Sequence, residues 1–214
     1  MENGAFANRN FIAGLILTIF TGFYLAIDSI ILGKEDFFLL LNTDLGSTAD
    51  LFFRYWTNLG DGIVWVAVAV YFYFYQKNKF PLLIISIIIS TLITQLTKNF
   101  LYPDITRPTA SIADISKIHT VPGVELLTSY SFPSGHTATA FTIFLMACLL
   151  IKKISVVPLG FLYAVLVGYS RIYLAQHFPL DVGGGMLTAV ITILVAVFIQ
   201  NIWEARIEKQ ELKK

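Results

Sequence analysis

SFPSGHTATAFTIFLMACLLI, residues 131–151, sets a polar turn directly against an apolar run, and that junction decides the fold. Pro133 and Gly135 make a tight turn, and Ser134 is placed to cap the helix that follows. From Thr137 to Ile151 the residues are almost all apolar, a run that needs tilt or flanking residues to reach the roughly 20 positions of a bilayer-crossing helix. The exposed N–H groups at the helix start, aided by the helix dipole, can seat an anion, and His136 stands at that mouth. Taken alone, the stretch reads equally as a capped helix start with an incidental histidine.

Working outward, the same alternation of long apolar runs and short polar joints fills the chain. Further candidate spans are Phe11–Ile31, Ile63–Tyr75 (extended backward by Leu59–Gly62), Pro81–Thr97, Val156–Tyr169 and Leu180–Ile202, which makes six. The first has no small-residue cleavage pattern behind it and reads as a retained span rather than a signal peptide. Of the 214 residues, 56% are hydrophobic and 14% charged, against about 25% charged in a soluble domain. The expectation is a single all-α integral-membrane domain over 1–214, with a charged cytoplasmic tail over 204–214. A formal net charge of +1 gives no support for a nucleic-acid partner. Cys148 is the lone cysteine, reads as a small apolar residue, and excludes an intrachain disulfide and a zinc-type cysteine site.

Orientation follows from the short loops. Arg9, Lys77 and Lys79, Lys152 and Lys153, and Arg206, Lys209, Lys213 and Lys214 all fall on one side if six spans alternate, so that side, with both termini, is expected to be cytoplasmic. The other side receives Lys34–Thr57, Lys98–His136 and Arg171–Pro179. Within the first of these, the apolar pieces Phe37–Leu41 and Leu51–Phe53 are too short to span and suit helices lying in the outer interface.

Three polar clusters meet on that outer side. They are Lys98 with Arg107-Pro108, Pro133-Ser134-Gly135-His136, and Ser170-Arg171 through His177 to Asp181. Pro179 fits a first helical turn, so Asp181 falls just inside a helix, near enough to His177 to accept its Nδ1–H bond and leave Nε2 free as a nucleophile. Cations gathered beside two histidines point to an anion that is attacked as well as held.

In this order the clusters resemble the signatures of the type 2 phosphatidic acid phosphatases, membrane lipid phosphatases that share a helical core with the vanadium haloperoxidases. Pro133-Ser134-Gly135-His136 matches the second signature in full. Ser170-Arg171, five residues, His177, three residues, Asp181 matches the third. The first is a lysine, six residues, then Arg-Pro; here eight residues separate Lys98 from Arg107-Pro108. The resemblance implies that His177 attacks phosphorus, Asp181 orients it, and His136 protonates the leaving oxygen and then activates water. Lys98, Arg107, Arg171, Ser134 and Gly135 would bind the phosphoryl oxygens. It also implies no cofactor and no metal, and a phosphorylated membrane lipid as partner. Undecaprenyl diphosphate, phosphatidylglycerol phosphate, phosphatidic acid and lipid A phosphates are the candidate substrates, met at the extracytoplasmic face of a bacterial inner membrane. A vanadate-dependent haloperoxidase and a non-catalytic anion or lipid transporter are the alternatives. His119, Asp28, Asp61 and Asp104 match no signature; His119 reads as a loop residue and Asp61 as a helix-end residue.

Overall fold

The structure is a computed structural model and describes residues 5–211. It is all-helical, with no strand among the described residues. The helices are α1 (Arg9–Ile31), α2 (Lys34–Leu41), α3 (Ser47–Trp56), α4 (Val64–Tyr75), α5 (Phe80–Leu96), α6 (Pro108–Ser111), α7 (Gly135–Leu150), α8 (Val156–Tyr173) and α9 (Pro179–Glu211).

Among the described residues, four stretches are long and apolar enough to cross a membrane unaided: Arg9–Ile31, Lys77–Leu101, Val156–Tyr173 and Pro179–Gln210. The second expected span is divided. α4 has only 12 residues, and it forms a span only together with Ser47–Gly60, to which it is bent by 52°. Gly60-Asp61-Gly62 breaks the helix, because glycine gives up more conformational entropy than any other residue on entering one. Gly135–Leu150 is apolar but, at 16 residues, short, as its sequence implied.

α9 is the central post. It packs against α1, α5 and α7, and α7 packs in turn on α8. Val182, Met186, Ala189 and Ile193 of α9 join Phe141, Phe144 and Leu145 of α7 in the main core. The glycine run Gly183–Gly185 lets neighbours come close. A Cβ on Gly183 would stand 2.7 Å from the carbonyl oxygen of Gly22, and one on Gly185 would stand 2.6 Å from that of Ser134.

The last helix runs into the charged tail. α9 continues as helix through Glu211, well past Ile202. Glu204 is held by Lys79 at 2.6 Å, and Gln200 caps the start of α5 by accepting from the Leu82 N–H at 2.9 Å, so the first turns of the tail have partners. Beyond them, Glu, Lys, Arg and Gln are good helix formers. Lys213 and Lys214 lie outside the described residues.

The same end of the bundle collects the other basic joints. Asn8 caps α1 and donates to the carbonyl of Leu149, while Asn10 donates to those of Ile151 and Lys153. These bonds satisfy carbonyls at the end of α7 and in the turn that follows, which would otherwise be orphaned. The opposite ends of α5, α7, α8 and α9 carry the polar motifs.

Candidate active site

The third motif folds back on itself. The carbonyl of Arg171 accepts from the N–H groups of both Gln176 and His177, at 2.9 and 3.0 Å, which curls the chain after α8 and tucks His177 inward to 2% exposure. Pro179 opens α9, and Asp181 sits in its first turn. The Asp181 carboxylate reaches back to accept the N–H of Phe178 at 2.9 Å, as an acidic third residue does in a capping box, and also accepts the Ser131 hydroxyl at 2.5 Å. These two bonds fix the carboxylate 3.4 Å from His177 Nδ1. The main chain ties the motifs together, since the Ser134 N–H donates to the Asp181 carbonyl at 2.9 Å.

On the other side of the ring, Arg107 Nη1 lies 3.4 Å from His177 Nε2. A guanidinium can only donate, so Nε2 carries the lone pair and the ring proton sits on Nδ1, facing Asp181. Burial first, then the charges of Arg107, Arg171 and Lys98, hold the His177 imidazole well below its usual pKa, so the ring is a neutral free base. Burial likewise lowers Arg107, with Asp181 opposing. Arg107 is fixed by bonds from Nε to the Ser129 carbonyl and from Nη1 to the Gln176 carbonyl, both 2.9 Å. Arg171 donates from Nη1 to Thr57 Oγ1 at 2.6 Å, and its buried Nε has no partner among the described residues. An orphaned buried N–H on a cation is costly unless an anion completes it.

A cavity of about 310 Å³ opens in front of these groups. Lys98, Arg107, Gly135, His136, Arg171 and His177 line it, with Trp65 and the Ser90-Thr91-Thr94-Gln95 face of α5. Of the eight residues singled out from sequence, six therefore face one space. Asp181 stands behind His177. Ser134 is buried and outside the lining, its hydroxyl accepting from the hydroxyl and N–H of Thr137 as the cap of α7. Lys98 lines the cavity despite the longer spacing, from a π-helical turn, Thr97–Leu101, at the end of α5.

Sequence reading did not single out Thr57, Ser131 or Gln176, which hold Arg171, Asp181 and Arg107. Asp61 does end a helix, accepting the Ile63 N–H at 3.0 Å, but its other oxygen lies 3.7 Å from His136 Nε2. His119 is outside the cavity, 3.0 Å from Asp50, whose carboxylate also accepts the Tyr173 hydroxyl.

The sequence model of the PAP2 superfamily matches residues 79–204, which contain all three motifs. An undecaprenyl-diphosphatase of Sulfolobus acidocaldarius is 28% identical over 83% of this chain and 84% of its own. Other curated relatives, from Escherichia coli, Bacillus licheniformis and Bacillus subtilis, align over only 36%, 40% and 41% of their own lengths. Among solved structures, Aquifex aeolicus LpxE superposes with a TM-score of 0.66 at 33% identity, covering 75% of this chain and 92% of its own. A transmembrane PAP2-type phosphatidylglycerolphosphate phosphatase from Bacillus subtilis gives 0.58 at 22% identity, covering 92% and 97%, and shares the fold.

Proposed function

The chain belongs to the PAP2 superfamily, and from that premise we propose that it is a single-domain integral-membrane lipid phosphatase working through a phosphohistidine. The observation that carries the reading is His177, held by Asp181 at Nδ1 and lining a cavity walled by Arg107, Arg171 and Lys98. In the first step, Nε2 attacks phosphorus and the bond to the lipid oxygen breaks. His136 gives that oxygen a proton. In the second, His136 takes a proton from water, the hydroxyl attacks phosphorus, the P–N bond breaks, and inorganic phosphate leaves. Asp181 keeps Nδ1 protonated and balances the charge that builds on the ring. The phosphoryl oxygens gather charge in the transition state, and the guanidinium groups, Lys98 and the Gly135 N–H at the start of α7 are set to receive it. Three cations on phosphate supply the charge stabilisation that a divalent metal supplies in other phosphatases, so the reaction requires none.

The substrate is a phosphate monoester or diphosphate of a membrane lipid, of the undecaprenyl, phosphatidylglycerol, phosphatidic acid or lipid A type. Its headgroup is met at the extracytoplasmic face of a bacterial inner membrane. The proposed topology has six spans, counting the short α4 and α7, with the basic joints in the cytoplasm, the motifs outside, and α2 and α3 near the outer interface. The test is phosphate release by purified protein from a panel of these lipids in excess EDTA. Full turnover is expected, and His177→Ala should lower it by at least about a thousandfold. Activity that vanishes in EDTA and returns with magnesium, or His177→Ala turnover near the parent rate, overturns the scheme.

A further inference from the structure

The turn Thr57–Gly62 belongs to none of the three motifs, yet it touches two site residues and presses on a third point beside them. Thr57 takes a bond from Arg171. Gly60 lies flat against the start of α7, where a Cβ would stand 2.8 Å from the His136 carbonyl oxygen and collide with Val167. Asp61 Oδ1 is fixed by the Ile63 N–H, and this bond sets Oδ2 3.7 Å from His136 Nε2.

The charges around His136 give this turn its meaning. Arg171 of α8, Lys98 at the end of α5 and Arg107 of the loop before α6 all act on it, His177 lies across the cavity, and Asp61 is the carboxylate whose charge opposes theirs. A general acid must hold its proton when substrate arrives. Burial first, and then three cations, disfavour an imidazolium, and one nearby carboxylate favours it. Resting on the phosphatase reading above, we propose that Asp61 is a positioning residue that favours the imidazolium of His136 when substrate arrives and aims it at the leaving oxygen. When the P–O bond breaks, its electron pair goes to the lipid oxygen, which takes the His136 proton. His136 becomes neutral. At 3.7 Å the pair interacts through charge or one bridging water rather than a direct bond.

Leaving groups separate this role from a structural one. An alkoxide needs a proton to depart, whereas p-nitrophenolate does not. The experiment compares Asp61→Asn and Asp61→Glu with the parent on dioleoyl phosphatidic acid and on p-nitrophenyl phosphate across pH 5–9. For Asp61→Asn, kcat on phosphatidic acid should fall by about tenfold or more at pH 7.5, with the alkaline limb displaced to lower pH. On p-nitrophenyl phosphate the loss should stay below about threefold, which also shows that the variant folds, and Asp61→Glu should recover most of the lipid activity. Equal losses on both substrates with an unmoved limb, or no loss on either, overturn the assignment. If the parent hydrolyses neither ester, the phosphatase reading itself fails. The assignment is then decided by ¹⁵N-histidine NMR, where Asp61→Asn must shift the His136 titration to lower pH and an unshifted curve refutes it.

Discussion

His177 combines burial with a ring of cations, and both oppose its protonation. In the unfolded chain a histidine binds a proton below about pH 6.5. Unfolding in mild acid therefore takes up a proton at this position. Its contribution to stability is whole above pH 6.5 and is lost at about 1.4 kcal/mol per unit as the pH falls below it. Thermal unfolding in detergent should thus show a larger drop in Tm between pH 7 and 5 for the parent than for His177→Asn; parallel curves would contradict a neutral buried ring. Ser131 gives a second test at this scale. Ser131→Ala removes a bond on the Asp181 carboxylate and should lower kcat by about tenfold while leaving KM within about twofold, in line with a charge-assisted bond of about 1.5 kcal/mol or more. The residues proposed to react were legible in the sequence because phosphate chemistry limits them to cations, imidazoles and a carboxylate. Their supports were not. Thr57, Ser131 and Gln176 are ordinary polar residues, and only the meeting of distant segments, 114 positions apart for Thr57 and Arg171, makes them partners.

Each helix end is where local sequence and function meet. Ser134 caps α7 while its own N–H binds the carbonyl of Asp181, so the cap and the nucleophile's support form one joint. The glycines of α9 let that joint close. Gly183→Ala would push a methyl group into the Gly22 carbonyl, a backbone atom that cannot swing aside, and should cost about 2 kcal/mol through parting of α1 and α9. A circular-dichroism melt should fall by several degrees, and an unchanged Tm would mean that the helices already stand further apart. Apolar length foretold α1, α5, α8 and α9. It also marked Ile63–Tyr75, which is α4, but missed the break that glycines on both sides of Asp61 make before it, and it did not show that helix runs on into the tail, where Lys79 and Gln200 supply anchors that no local pattern reveals. The π-helical turn at Lys98, a residue that lines the cavity, was equally hidden.

The whole molecule is a bundle with basic joints at one end and the polar motifs at the other. Residue order alone implied this division, because a strict alternation of spans assigns each loop a side. Sidedness is open to labelling. With buried Cys148 replaced by alanine, a cysteine at exposed Thr128 should react with an impermeant maleimide in intact cells, and one at exposed Lys152 only after permeabilisation. Labelling of both from outside would contradict the topology. The central claim is that segments more than 80 residues apart build one pocket in which a histidine becomes phosphorylated. The most direct measurement uses His136→Ala, in which release of the intermediate should be slow. The variant is mixed with p-nitrophenyl phosphate, quenched in alkali to preserve phosphohistidine, and digested for mass spectrometry. The account predicts a phosphate on His177 that is absent from His177→Ala. Phosphate found on another residue, or a wild-type enzyme that turns over without any detectable phosphohistidine in the rapid-quench window, would contradict it.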